Sequence, residues 1–295
     1  MSQKMFVWMV TIISLVVMGR DSSSITFAGS GNGINWHSDY SRAMQRAKRS
    51  KKMLFVYFTS KEPGAVETRF EHIVASDKAL ADDLRKFVPA RVSVDTTVVI
   101  DGAMQRLIDH PVFAEMKGLP GIAMIDLIDP QSRHYHKVVT IFPFAPACKL
   151  DRDRLSVLLD LPGGSLTQRT LVYAIRTHPE RPKSADGKFD PILATAAEKH
   201  SSHQARIRYQ GHHNWNSRFH QINAKLANGM TAQEVCAESW PGETLIEAAE
   251  ECVDSWRHSS GHWSAVRAAQ TLFGYDMKRG RNGVWYATGI FARSR

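Results

Sequence analysis

The chain has 295 residues, 43% of them hydrophobic and 23% charged, so it is long enough for two globular domains with buried cores. Its formal net charge of +9 is spread evenly, with 19 basic against 14 acidic residues in positions 1–150 and 19 against 15 in positions 151–295. A nucleic-acid groove would concentrate basic residues, so this distribution indicates solvated surfaces and argues against a nucleic-acid partner.

The N-terminus has the layout of a secretory signal peptide. One early charge, Lys4, precedes a largely apolar run at residues 5–18, and the small residue Gly19 follows. The run is shorter than the ~20 apolar residues that a membrane-spanning helix needs, and the sequence has no second run of that length. We predict a signal peptide over residues 1–28, cleaved after residue 19, and a secreted or periplasmic protein with no further membrane span. An uncleaved N-terminal anchor is the alternative.

The first half alternates helices and strands. Ser38 or Asp39 can cap the first helix, and the apolar residues 53–58 predict a strand. The later elements follow in chain order: a helix at residues 77–87, strands at 92–94, 122–128 and 137–142, and a helix at 151–159. This order of helices and strands resembles that of a thioredoxin-like fold and predicts the α/β class.

The residues around the first strand support this fold but not its redox chemistry. The pattern from Trp36 to Lys52 resembles the opening of secreted thioredoxin-like domains. The resemblance implies such a domain over residues 29–160, with Pro120 in the position of the family's cis-proline. The turn at residues 60–65 reads Ser-Lys-Glu-Pro-Gly-Ala and lacks the Cys-x-x-Cys pair whose thiolate attacks disulfides. We therefore predict a redox-inactive binding or spacer module.

From residue 166 the pattern changes to longer helices, after a Pro-Gly-Gly-Ser turn at residues 162–165. Two capping boxes, Thr231-x-x-Glu234 and Thr244-x-x-Glu247, have the pattern of helix starts, and the second opens an amphipathic segment. The other predicted elements are helices at residues 170–177, at 191–209 and from 264, and a β-hairpin of 273–277 with 284–292. Helices on both faces of this sheet would give a three-layer α-β-α domain.

Three motifs of the second half stand in a characteristic order. They are Cys-Ala-Glu-Ser at residues 236–239, Trp-x-x-Ser-x-Gly-His at 256–262 and an aromatic strand at 283–291. This order resembles the CAP superfamily of cysteine-rich secretory, antigen 5 and pathogenesis-related proteins, in its bacterial SCP-like form. The resemblance implies an α-β-α CAP domain over residues 161–295.

The same resemblance implies a cleft formed by His212, Glu238 and His262, with His213 as the alternative to His212. The segment around Glu238 departs from the family pattern, with Ala and Ser where the family has Gly and Asn. Two imidazoles and one carboxylate can hold Zn²⁺ or another divalent metal with an open position for water. The three side chains could equally satisfy one another as a polar cluster.

The three cysteines are too few for a disulfide scaffold. Cys236 and Cys252 fall within one predicted domain and could form a disulfide in an oxidising compartment, in which case Cys148 would remain a free thiol. The alternative is that all three are small buried apolar residues.

Together these patterns predict an exported binding or scaffolding protein whose partner is an extracytoplasmic lipid, peptide or cell-envelope component. One alternative is a metal-dependent hydrolase that acts on a peptide or envelope polymer at the cleft. Another is a thiol-redox partner that acts through Cys236 and Cys252. A serine hydrolase is disfavoured, because Ser259 does not lie in a Gly-x-Ser-x-Gly elbow.

Overall fold

The computed structural model describes residues 33–100, 102–227 and 229–294, so the predicted signal peptide at residues 1–28 lies outside the described part. Helices and strands are interleaved along the described chain, which confirms the α/β class. No helix in these three stretches is long and apolar enough to cross a membrane.

The first half is built around one four-stranded sheet. Its elements are, in chain order, α1 (Tyr40–Ser50), β1 (Leu54–Thr59), α2 (Ala65–Ser76), α3 (Lys78–Leu84), β2 (Val88–Ser93), β3 (Thr97–Ile100), β4 (Ala103–Arg106), two 3₁₀ turns (Leu107–Asp109 and Pro111–Met116), β5 (Gly121–Ile125), β6 (Val138–Pro143) and α4 (Arg152–Leu159). The sheet order is β2-β1-β5-β6, with β1 parallel to β2 and antiparallel to β5, and β5 antiparallel to β6. The first five residues of β1 are all buried, as expected for a central strand covered on both faces.

The corner between β1 and α2 contains a buried carboxylate rather than a thiol. Glu67 accepts hydrogen bonds from the backbone N–H groups of Ser60 (2.9 Å) and Gly64 (3.1 Å) and from the Ser60 hydroxyl (2.6 Å). Helix α2 is thus capped at its N-terminus by the side chain of Glu67 from its own first turn.

Pro120 follows a trans peptide bond, since no described residue has a cis bond, and the prediction of a cis-proline is therefore wrong. The Leu119 N–H bonds to the Met116 carbonyl (2.9 Å), and the Pro120 carbonyl accepts from the Phe144 N–H (2.8 Å). Pro120 therefore leads directly into the β5–β6 ladder, at the strand start where a residue without an N–H donor is tolerated.

The second half contains another four-stranded sheet, in the order β7-β9-β10-β8. Its elements are α5 (Leu166–Arg176), β7 (Lys188–Phe189), α6 (Pro191–Ile207), α7 (Trp215–Asn223), β8 (Met230–Glu238), α8 (Leu245–Arg257), α9 (Ser260–Arg267), β9 (Leu272–Arg279) and β10 (Trp285–Ser294). On one face, Val235 and Ala237 of β8 belong to the same buried cluster as residues of α8. On the other, Ala232 of β8 packs with Leu193 and Ala197 of α6. The sheet is therefore covered by helices on both faces.

The segment that begins at Thr231 is a strand, so its resemblance to a helix start was misleading. Residues 230–238 pair with β10 over their whole length, from Met230 opposite Ser294 to Glu238 opposite Tyr286. Sheet pairing and burial on two faces outweigh the local capping pattern here. The second box is confirmed, because the Thr244 hydroxyl and the Glu247 side chain cap α8 reciprocally.

Cys236 and Cys252 are both free and buried, so the disulfide that the sequence left open is not formed. Successive side chains of a strand point to opposite faces, so Cys236 lies on the α6 face with Ala232, while Val235 faces α8. Cys252 belongs to α8 and packs in the cluster that contains Val235. The sheet separates the two thiols, and a disulfide needs Cα atoms within about 7 Å and facing side chains.

Helix α5 packs against both sheets and joins the halves. Tyr173 meets Phe142 of β6 edge-to-face, with ring centroids 5.4 Å apart. The buried Arg169 donates to the Thr140 hydroxyl (2.8 Å) and to the carbonyls of Leu161 (2.9 Å) and Pro162 (2.8 Å). Since the same buried cluster continues to Phe273 of β9, the two sheets share one hydrophobic core through α5.

Candidate functional site

The candidate cleft lies at the edge strand of the second sheet, where the loop between α6 and α7 passes beside β8. Helix α6 ends at Arg208 in the left-handed conformation (φ 59°), which turns the chain back toward the sheet. Gln210 donates to the carbonyl of Cys236 (3.2 Å), and the Gly211 N–H donates to the Gln204 side chain (3.0 Å). These bonds hold the following residue, His212, against β8.

His212 connects a buried carboxylate to a second imidazole. Its Nδ1 lies 3.0 Å from Oε1 of Glu234 on β8, and its Nε2 lies 3.1 Å from Nε2 of His262 on α9. The His212 side chain is 42% exposed, whereas the Glu234 side chain has no exposed surface. The pair of facing Nε2 atoms is therefore accessible from solvent and is oriented from beneath by a buried anion.

Glu234 is held as a carboxylate by Arg218 of α7. Both Arg218 terminal nitrogens contact it, Nη2 at 2.8 Å from Oε1 and Nη1 against Oε2. Burial alone would raise the pKa of Glu234, but the hydrogen bonds from Arg218 and His212 hold that pKa below its ordinary value. The Arg218 Nε–H also donates to the His213 carbonyl (3.0 Å), which ties α7 to the cleft loop.

These contacts determine the proton positions on His212. An ionised carboxylate can only accept, so Nδ1 of His212 carries the hydrogen and Nε2 of the neutral ring presents a lone pair. Burial, followed by the neighbouring His212, lowers the pKa of His262 and favours its neutral form. The Nε2 of His262 therefore carries a hydrogen and donates it to the Nε2 of His212.

Glu238 is not the carboxylate of this cleft. It lies on β8 four residues beyond Glu234, about 13 Å away at roughly 3.3 Å per residue, and it is exposed. In the described chain it makes no hydrogen bond or ion pair with His212 or His262. The sequence signal for Glu234 was its place between Ala232 and Cys236 in an alternating strand, where a carboxylate must find partners.

His212 rather than His213 faces His262. The Nε2 of His213 lies 3.2 Å from the Tyr209 carbonyl, and its ring contacts that of His203 with centroids 5.5 Å apart. The two adjacent histidines thus point in different directions, and only His212 contacts Glu234.

A second group with metal-ligating atoms lies beneath the cleft. It consists of His200, Glu234 and Cys236, all buried, with one ligand atom of each within 4.8 Å of the others, so this group could hold a metal ion. Neither His200 nor Cys236 is predicted as a metal ligand from the sequence. Burial lowers the pKa of His200 to about 4 and raises that of the Cys236 thiol, so both are neutral near pH 7.

No protein-family model matches the chain, and no curated protein matches it. Among solved structures, the chain is similar to an outer surface protein from Borrelia burgdorferi, at 16% sequence identity. The match covers 37% of this chain and 78% of that one, with a TM-score of 0.30. At that TM-score the similarity supports no conclusion about the fold or the cleft.

Proposed function

We propose that this is an extracytoplasmic binding or scaffolding protein whose CAP-type second half binds one divalent cation between His212 and His262. The observation that carries the proposal is the 3.1 Å separation of their Nε2 atoms. Two imidazole ligands of a tetrahedral Zn²⁺ have nitrogens about 3.3 Å apart, given Zn–N bonds of about 2.0–2.1 Å. The spacing of the pair is therefore close to that of two ligands, and a bound cation would replace the hydrogen that the two Nε2 atoms share, with the hydrogen of His262 moving to its Nδ1.

Glu234 would act behind His212 rather than on the cation. A carboxylate that accepts the Nδ1–H of a ligating histidine fixes the ring and increases the basicity of its Nε2. Both oxygens of Glu234 already accept hydrogen bonds, from Arg218 and from His212. Glu234 is therefore committed to Arg218 and His212 rather than to the gap between the two histidines.

The buried His200, Glu234 and Cys236 group is the second candidate location, favoured by the short distances within it. Two contacts weigh against it. A carbonyl can only accept, so Nε2 of His200, 2.8 Å from the Gly211 carbonyl, carries a hydrogen and cannot ligate in this orientation. The Arg218 guanidinium already compensates Glu234, and a cation added there would be repelled.

Binding is favoured over hydrolysis because the carboxylate beside the imidazole pair is already occupied by hydrogen bonds. A metal-dependent hydrolase needs a group that accepts a proton from the attacking water. Within the described part of the chain, Glu234 is the only carboxylate in hydrogen-bonding contact with the imidazole pair. Its pKa is lowered and its oxygens are occupied, so it is a weak proton acceptor. A cation with two protein ligands would instead offer open positions to oxygen atoms of a bound partner.

The first half supports a role in binding or spacing rather than in redox chemistry. The corner at which a thioredoxin-like domain would carry its cysteines has Ser60 bound to Glu67. The thiols of Cys236 and Cys252 are buried on opposite faces of the other sheet, which argues against the thiol-redox alternative.

Elemental mass spectrometry of the purified chain, with thermal unfolding measured with and without zinc, tests the proposal. We expect about one equivalent of metal per chain and a zinc-dependent rise in melting temperature. Both should be lost in His212→Ala and in His262→Ala. The matched control is His220→Ala, an exposed histidine of α7, which should behave like wild type. Metal-free wild type without a zinc-dependent shift would overturn the proposal.

A further inference from the structure

One end of the second half combines exposed aromatic side chains with exposed arginines. Three loops meet there: the start of the α6–α7 loop, the β8–α8 loop and the β9–β10 turn. The backbone N–H of Gly242 donates to the Gly283 carbonyl (3.3 Å), which joins the second loop to the third. Gly280 packs so closely on the end of α6 that an added Cβ would lie 3.1 Å from the Ala205 carbonyl. The residues that this surface presents are Arg206, Arg208, Tyr209, Trp240, Arg279 and Arg281. We call this set the arginine–aromatic end.

The two aromatic side chains of the arginine–aromatic end are mostly exposed to solvent. Trp240 and Tyr209 are each 67% exposed. Trp240 is anchored through its backbone N–H, which donates to Glu243 (3.1 Å), and within the described residues its indole makes no hydrogen bond or ring contact. Tryptophan and tyrosine are enriched at interfaces, including the membrane–water interface, where one end of the ring is in an apolar environment and the other is hydrated.

The arginines of this end are uncompensated. None of Arg206, Arg208, Arg279 and Arg281 forms an ion pair with a carboxylate of the described chain. Arg206 contacts His203, and Arg279 lies over the Trp285 ring at 5.9 Å. Elsewhere on the surface, by contrast, arginines are commonly paired, as Arg106 is with Asp109. These four cations outnumber the two carboxylates that flank Trp240, Glu238 and Glu243, so this end has a net positive charge that attracts an extended anionic surface.

We infer that the arginine–aromatic end docks on the surface of an anionic lipid bilayer. Tryptophan and tyrosine partition to the headgroup region, where an apolar ring and a polar edge are both satisfied, and neighbouring arginines gain from anionic headgroups. A soluble polyanion would use the arginines but has no need of a projecting indole, so the combination favours lipid. Docking is independent of the proposed cation site and would hold at zero metal occupancy.

Vesicle co-sedimentation tests this inference, with the chain from Arg20 onward, which keeps every described residue and lacks the apolar run 5–18. Vesicles of phosphatidylcholine with about one-third phosphatidylglycerol are compared with pure phosphatidylcholine. We expect binding to the anionic vesicles only, weakened by salt. The paired reversal Arg279→Glu with Arg281→Glu should weaken it at least about tenfold, and Trp240→Ala should weaken it several-fold.

The matched control reverses two exposed arginines of α1, Arg46→Glu with Arg49→Glu, for the same change in net charge. It should bind like wild type. Equal weakening by the control would show a non-specific effect of net charge and overturn the inference, as would binding to neutral vesicles or no binding at all. Capture by soluble dextran sulfate with no loss in Trp240→Ala would show a polyanion site instead. Circular dichroism and metal content, measured on each variant, separate these outcomes from misfolding and from failure of the cation site.

Discussion

Replacing Glu234 by alanine removes the anion that holds both Arg218 and His212. The carboxylate has no exposed surface, and the Arg218 side chain is only 20% exposed, so the substitution leaves a largely buried guanidinium without a counter-ion. Breaking a buried ion pair from one side costs about 3–5 kcal/mol, and the residual exposure of Arg218 places this case near ~3 kcal/mol. For a protein of this size that corresponds to a fall in melting temperature of roughly 6–12 °C.

The matched variant is Glu238→Ala, the same chemical change on the same strand at an exposed position without an ion pair. It should change stability by less than about 0.5 kcal/mol. Differential scanning calorimetry of the metal-free chain compares the two directly. The double variant Glu234→Ala with Arg218→Met should recover part of the loss, since it removes the unpaired charge. If Glu238→Ala destabilises as much as Glu234→Ala, or if neither has an effect, the assignment of the buried carboxylate is refuted.

Three further substitutions or conditions test other parts of the structure. Arg169→Met removes the donor to three oxygen acceptors at the junction of the two sheets, two of them buried and one, the Pro162 carbonyl, part-buried. It should lower the urea midpoint by the equivalent of about 3 kcal/mol in a single transition, and an unchanged midpoint would contradict the shared core. Intact-mass analysis without reductant should find Cys236 and Cys252 as thiols that react with alkylating reagent in urea; the mass of a disulfide would count against their placement on opposite faces. Burial lowers the pKa of His200 from 6.5 to about 4, so the unfolded chain binds more protons between these values. The stability contributed by His200 is therefore complete above pH 6.5 and is lost as the pH falls toward 4. His200→Gln, which keeps a donor for the Gly211 carbonyl, should flatten the fall in melting temperature over this range, and an unchanged slope would contradict the burial of the imidazole.

The elements that the sequence predicts best are those whose local and tertiary signals agree. Helix α8 combines a capping box at Thr244 with apolar residues at helical spacing, and its predicted start is confirmed. At Thr231 the signals conflict: the capping pattern favours a helix, but pairing with β10 and burial on two faces make the segment a strand. Cross-strand pairing is a long-range property that a local motif does not report.

The carboxylate of the cleft could not be predicted from the sequence, because its position also depends on long-range strand pairing. The motif at residues 256–262 contains His262 and the loop after α6 contains His212, but nothing in the local sequence indicates which carboxylate lies beside them. That choice depends on strand register, because the face of β8 that carries Glu234 and Cys236 is set by the pairing of residues 230–238 with β10. Arg218 could not be predicted either, since its role depends on where α7 packs.

The most direct test of the cation site is an anomalous difference map at the zinc absorption edge, from crystals of the zinc-loaded chain. Our account predicts one peak about 2.0–2.1 Å from the Nε2 atoms of both His212 and His262, with Glu234 still bound to Nδ1 of His212. A peak about 2.3 Å from Sγ of Cys236, beside His200 and Glu234, would move the metal to the buried group and contradict the account, as would the absence of any peak at the imidazole pair.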